Sequence, residues 1–248
     1  MDLGLKGRTA LVLGASRGLG AASAALLAAE GAHVIAASRS GAAPAEGMEG
    51  LALDLSDAGA VAALIARLAE QLDILVNNCG GPAAGPAKGQ STAAWAAAFE
   101  AMATPIFAIT DAALPGMIAQ GWGRVVTIGS SGIVQPIPNL ALSNGVRGAV
   151  AGWSKTLAEE VAPHGVTVNM VLPGRIATDR LAQLDGIKAD KSGASLEAVQ
   201  EASRKTIPAG RYGTPEEFGA VVTFLCSAQA AYVTGSMIRV DGGMIRGL

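Results

Sequence analysis

Aromatic side chains are scarce in this sequence. They make up 4% of 248 residues and include only two tyrosines, Tyr212 and Tyr232. With so few rings the core must be aliphatic, and its many alanines let helices approach closely. Cysteine is nearly absent: Cys79 and Cys226 stand far apart, with no CxxC or Cys/His cluster, and His33 and His164 lack ligand spacing. This excludes a cysteine–histidine metal site, and both cysteines read as small buried side chains. Charged residues are only 15% and the net charge is −2, with Lys and Arg scattered, so no nucleic-acid footprint exists. No apolar run approaches about 18 residues, and the start "MDLGLKGRTALVLG" has no apolar signal core. The expectation is a cytoplasmic protein with no membrane partner. No Pro/Ser-rich linker or charge run divides the chain, which predicts one domain over residues 1–248.

What is present is alternation. Apolar runs at 9–14, 33–38, 50–55, 73–78, 124–129, 166–172 and 236–241 predict strands. Helical patterns cover 18–30, 58–71, 91–120 with a break near Pro105, 140–162, 196–206 and 215–228. Apolar strands alternating with helices predict an α/β fold: a three-layer, doubly wound Rossmann arrangement with a seven-stranded parallel sheet. Ligands of such folds bind at the carboxyl ends of the strands. Residues 179–206 break the rhythm as a long polar insert. Its place fits a substrate-side lid, and a passive excursion is the plainer alternative.

The first strand runs into "GASRGLG", and a helix follows. Gly14 permits a sharp turn, while Gly18 and Gly20 let the backbone approach a pyrophosphate at the helix N-terminus. Ser16, Arg17 and Leu19 complete this cofactor-binding loop. The end of the second strand carries Ser38 and Arg39, with no acid before Glu46. An acid there would bind the ribose 2′-hydroxyl of NAD(H). Arg39, joined by Arg17, instead suits a 2′-phosphate, which favours NADP(H) over NAD(H).

"GASRGLG", "NNCG" at 77–80, "GRVVTIGSSG" at 123–132, "VNMVLPGRIATD" at 168–179 and "YVTGSMIRVDGG" at 232–243 occur in order along the whole chain. Together they resemble the short-chain dehydrogenase/reductase family, with the 3-oxoacyl-acyl-carrier-protein reductase-like members the nearest in appearance. The resemblance implies that Asp54 and Leu55 border the adenine and that Asn78 and Gly80 line a ribose. It implies that Pro173, Gly174, Ile176 and Thr178 hold the nicotinamide end. Leu13 stands where the family has a threonine.

The catalytic pattern departs from this family. Of its Asn, Ser, Tyr and Lys, only the serine is matched, by Ser130. The tyrosine position is Ser143, the lysine position is Arg147, and the asparagine falls on Met102. Tyrosine is the family's proton donor. A serine hydroxyl is a far weaker acid, and arginine, with a pKa above about 12, releases no proton at working pH. Arg147 retains the ability to stabilise an oxyanion and to hold a ribose. Three readings stand: a carbonyl reductase rebuilt on Ser130, Ser143 and Arg147; an NADP(H)-binding module without turnover; or a different reaction, one version placing a substrate carboxylate on Arg147. A purely structural role, with Ser143 bonding locally and Arg147 paired to an acid, is the bland alternative.

Assembly leaves its own pattern. Gly145, Gly148 and Gly152 form a smooth strip on one helix, and "STAAWAAAFEAMA" is equally small-faced. The resemblance implies that these helices pack between subunits of a homo-oligomer, a dimer or a tetramer; an intrachain helix pair is the alternative.

Overall fold

The computed structural model describes residues 1–68 and 72–247. Its elements run β1 (Thr9–Leu13), α1 (Gly18–Ala29), β2 (His33–Ser38), β3 (Glu49–Ala52), α2 (Ala58–Leu68), β4 (Ile74–Asn77), α3 (Thr92–Met102) and α4 (Thr104–Ala119). They continue with β5 (Gly123–Ile128), α5 (Ala141–Val161), β6 (Val166–Pro173), α6 (Asp179–Ser192), α7 (Leu196–Lys205), α8 (Pro215–Leu225) and β7 (Met237–Val240). The seven strands form one sheet in the order β3-β2-β1-β4-β5-β6-β7, and every pair is parallel. The order reverses between β1 and β4, which opens a crevice at their carboxyl ends.

Both faces of the sheet are covered, which is why its central strands read as continuous apolar runs. On one face, Ala24 and Leu27 of α1 and Phe218, Val222 and Leu225 of α8 pack on Val12, Val76 and Val126. On the other, Val61 of α2, Ile109 and Met117 of α4 and Leu157 of α5 pack on Leu11, Leu75 and Val125. A third cluster joins Met102 of α3 to Val146 and Val150 of α5 and to Met170 and Leu172 of β6. It lies beneath the carboxyl end of β6, beside the site described below. Val146, Val150, Leu157 and Val161 recur at helical spacing on α5 and are buried in the core.

Several expectations need correction. Within the insert at 179–206 the helix expected at 196–206 is α7, but 179–192, for which none was expected, is helical too, beginning with Thr178 as its N-cap and ending at Gly193 in a left-handed conformation. Its polar sequence concealed it, because only Asp185 and Ala189 on this helix are buried. The break expected near Pro105 is present, at Ala103, with Pro105 in the first turn of α4, where its missing N–H costs nothing. The third strand ends at Ala52, so Asp54 and Leu55 lie in the loop beyond it. The expected helix end at 69–71 lies outside the described residues.

The glycine strip divides. A side chain on Gly145 would collide with the Trp95 ring, so this part of α5 packs on α3 within the chain; Gly148 and Gly152 face open space. Taken together, α3 and α4 are long and apolar enough to cross a membrane by length and composition. Half of the most apolar window is buried within the protein, as core helices of soluble folds also are. Cys226 is buried as expected, whereas Cys79 is only partly covered.

Candidate active site

The glycine loop owes its shape to two close approaches. Gly14 has φ 61°, a left-handed value that other residues rarely adopt, and Asn78 Nδ2 donates to its carbonyl at 3.2 Å. A Cβ on Gly20 would run into that same carbonyl, so α1 begins directly against the turn. The Ala15 N–H donates to Ala37 O at 3.0 Å and ties the loop to β2. Arg17 is the N-cap residue of α1, yet its side chain caps nothing, which leaves the first-turn N–H groups without a side-chain partner. Gly18 meets Thr178: the threonine methyl lies 3.5 Å from where a Cβ on Gly18 would stand. Two motifs 160 positions apart in "GASRGLG" and "PGRIAT" thus face each other across the crevice, and Leu19 packs back against the core.

At the end of β2, Ser38 is buried with its Oγ 3.2 Å from Ser40 Oγ, while Arg39 is exposed. Among the described residues, neither Arg39 nor Arg17 makes an ion pair. Asp54 accepts from the Ser56 amide at 2.9 Å and from its hydroxyl at 2.7 Å. These bonds, the amide first, hold its carboxyl below the usual value, and the charge of Arg39 adds to them.

The segment after β6 is clamped from two sides. Gly174 N–H donates to Val240 O at 2.9 Å, and Ala177 N–H donates to Gly213 O at 2.8 Å. Ile176 is buried, and the Thr178 hydroxyl accepts from Leu181 N–H as the cap of α6. Asp185 of α6 is 2% exposed and holds Arg175 Nη1 at 3.3 Å, while Tyr212 OH donates to its other oxygen at 2.8 Å. A buried carboxylate with two partners fixes α6 over this segment. It also removes Tyr212 as a proton donor: burial, ahead of the Asp185 contact, pushes the phenol further above its ordinary value. Tyr232 is fully exposed elsewhere.

Two of the catalytic candidates, Ser130 and Arg147, lie at the carboxyl end of β5. Ser130 follows β5, and its hydroxyl accepts from Gly132 N–H at 3.0 Å. One helix, α5, carries both Ser143 and Arg147, four residues apart and so on one face. Ser143 is half-buried and is not the helix cap; Leu140 holds that position, with no side-chain cap bond. Arg147 Nη1 donates to Ile128 O at 3.1 Å and to Gly129 O at 3.4 Å, and Nη2 donates to Cys79 O at 3.4 Å. The acid partner imagined for a structural role is missing among the described residues; backbone carbonyls hold this guanidinium instead. They place a fixed positive charge where β4 and β5 end, one residue from Ser130.

A small pocket lies beside this charge, bounded by Cys79, Met102, Thr127, Met170 and Arg147. Met102 is 3% exposed, so the family's asparagine is replaced by an apolar wall. Cys79 was not foreseen here. Its thiol points to Met102 O at 3.7 Å, and burial pushes it above the ordinary thiol value against a weaker pull from Arg147. The hint was its place in "NNCG", two residues past the end of β4. Arg180 was missed as well. It stands two residues past Thr178, in the first turn of α6, with Nη2 3.9 Å from where a side chain on Gly81 would begin.

A family model described as enoyl-(acyl carrier protein) reductase matches residues 14–245. The chain is 37% identical to the 3-oxoacyl-[acyl-carrier-protein] reductase of Vibrio harveyi, over 98% of this chain and 99% of that protein. It is 36% identical to the Escherichia coli reductase of the same name, over the same shares. The structure of L-sorbose reductase from Gluconobacter frateurii, complexed with NADPH and L-sorbose, superimposes with a TM-score of 0.91 at 29% identity, covering 100% of both chains. Fold, motif order and full-length similarity agree: the chain belongs to the short-chain dehydrogenase/reductase family, among its 3-oxoacyl-[acyl-carrier-protein] reductase-like members.

Proposed function

We propose that this chain is an NADP(H)-dependent oxidoreductase that reduces a ketone carbonyl, in a 3-oxoacyl thioester or another ketone, to an alcohol. The observation that carries the reading is the guanidinium of Arg147, set by three carbonyls at the strand ends and facing no carboxylate among the described residues. Three features fit the cofactor. The first turn of α1 lacks a side-chain cap, Arg17 and Arg39 are exposed and outside ion pairs among the described residues, and the Gly14 carbonyl and the Asn78 side chain leave no room for a side chain at Gly20. Arg39 and Arg17 would hold the 2′-phosphate, the loop of Ser16, Gly18, Leu19 and Gly20 the pyrophosphate, and Asn78 and Gly80 a ribose. Asp54 and Leu55 would border the adenine, with Pro173, Gly174, Ile176 and Thr178 at the nicotinamide.

NADPH, when bound, supplies the hydride that the carbonyl carbon accepts. Negative charge then develops on the carbonyl oxygen. Arg147 stabilises that charge without giving up a proton, because its charge is permanent. Ser130 and Ser143 donate hydrogen bonds that orient the oxygen, and water delivers the proton that completes the alcohol. Helix α6, latched by Asp185, lies over the substrate side of the crevice and serves as the lid. A second copy of the chain is the proposed partner. On α3, Trp95 and Phe99 are each 37% exposed, and α5 is open at Gly148 and Gly152. Light scattering is expected to give the mass of a dimer or tetramer; a monomer at micromolar concentration refutes this assembly.

The test of the activity is direct. NADPH is titrated by its fluorescence, and its oxidation is then followed against ketones and 3-oxoacyl thioesters. Turnover that falls in Ser130→Ala is expected. Binding without turnover on every carbonyl would make the chain a cofactor-binding module instead, a reading favoured by the absence of a tyrosine donor. Failure to bind NADPH overturns both.

A further inference from the structure

Two arginines of the crevice lie away from the loop and strand end proposed to hold the cofactor's phosphates. Arg17 and Arg39 flank the place of the phosphates. Arg147 and Arg180 lie on the other side, around the segment that leaves β4. Arg147 Nη2 donates to Cys79 O at 3.4 Å, and Arg180 Nη2 lies 3.9 Å from the side-chain position of Gly81. Cys79 and Gly81 are two residues apart, so at most about 7 Å of backbone separates these two anchor points. One arginine comes from α5 and the other from α6, the helix proposed as the lid. Neither makes an ion pair among the described residues. Arg180 Nη1 has one neutral acceptor, Gln183 Oε1 at 3.0 Å. Residues 80 and 81 are glycines, both exposed, so no side chain stands between the two guanidinium groups along this segment.

A ribose hydroxyl is neutral and does not balance this charge. Two guanidinium groups that face no carboxylate among the described residues, anchored two residues apart along the segment after β4, fit a small ligand that brings an anion of its own. Resting on the proposed reductase reading, we infer that the substrate is an anionic carbonyl compound. Its carbonyl oxygen lies toward Arg147, and its carboxylate or phosphate, a few atoms away, is held by Arg180. Substrate binding and lid position are then one event, because the residue that reads the anion sits on the lid.

The experiment uses the full chain saturated with NADPH and follows nicotinamide fluorescence during titration. Acetoacetate is paired with methyl acetoacetate, and dihydroxyacetone phosphate with dihydroxyacetone. The anion of at least one pair is expected to bind tenfold or more tightly than its neutral partner, and which pair discriminates tells carboxylate from phosphate. Arg180→Gln is expected to abolish that preference while leaving NADPH affinity within about twofold. Equal binding of both members of each pair, or binding of none, overturns the inference. So does a preference that survives Arg180→Gln. A weakened NADPH affinity in Arg180→Gln also overturns it, because the arginine would then belong to the cofactor. Loss of NADPH binding by the unaltered chain is a different failure, that of the reductase reading itself.

Discussion

Replacing Arg147 by alanine is expected to lower kcat by about 10²–10³-fold, the cost of removing one preorganised donor at a developing oxyanion. Two roles meet in this side chain, and the measurement must separate them. As a structural tie it links the carbonyls of Ile128, Gly129 and Cys79, and so joins α5 to the ends of β5 and β4. Losing such bonds costs about 0.5–1.5 kcal/mol each, and this appears as a lower midpoint in urea. As an electrophile it acts only when charge forms on the substrate. Its loss then lowers kcat and kcat/KM together and leaves NADPH affinity within a few-fold. Arg147→Lys restores the charge but not the fork, so part of kcat should return while the tie to three carbonyls does not. If Arg147→Ala loses stability but keeps kcat, the guanidinium is a brace and the site has another electrophile.

The expected dependence on Arg147 follows from what the sequence has exchanged. Tyrosine beside lysine supplies both a proton and a charge. Serine beside arginine offers hydrogen bonds and a charge but no comparable acid, which is why the proposed reduction assigns proton delivery to water. The other tyrosines offer no escape, since Tyr212 is committed to Asp185 and Tyr232 is exposed. The buried Met102 removes the polar side chain that the family places at that position, and the pocket beside Arg147 is apolar on that wall. A positive charge beside an apolar wall is a good place for an anion and a poor one for an acid.

The sheet was legible because its central strands are buried on both faces, and a buried parallel strand can be little else than an apolar run between turns. The glycine loop was legible for a stricter reason. Gly14 and Gly20 touch through a carbonyl, and nothing larger fits there. Helix α6 was not legible. Its packing depends on Asp185, a charged residue whose partners, Arg175 and Tyr212, come from two other segments. A periodicity built on apolar residues cannot register a helix held by a buried carboxylate. The same blindness hid Arg180, whose significance lies in facing Gly81, about a hundred residues earlier in the chain. Gly145 erred the other way. A strip of small residues looks the same whether a second subunit or the chain's own Trp95 fills it.

The second large effect concerns the choice of cofactor. Arg39→Asp is expected to weaken NADPH affinity by about 10²-fold and to improve NADH affinity, measured by fluorescence titration of each. Arg39 follows directly on β2, where a dinucleotide fold presents the group that reads the adenosine ribose. A charge-assisted hydrogen bond contributes about 1.5–3 kcal/mol, or roughly one to two powers of ten in affinity. Replacing the cation by an anion adds repulsion against a dianionic 2′-phosphate. It also places a new carboxylate near Asp54, whose charge Arg39 now offsets in part. The same carboxylate offers the ribose 2′-hydroxyl of NADH an acceptor. Arg17 sets the limit of the exchange. It is exposed in the glycine loop and outside any ion pair among the described residues, so it remains available to the 2′-phosphate after Arg39 is gone. Full reversal of preference is therefore expected only in the double variant Arg39→Asp with Arg17→Gln, with the single change giving the larger share. If Arg39→Asp leaves the NADPH to NADH ratio unchanged, the 2′-phosphate is read elsewhere, and the order of roles along the second strand is wrong.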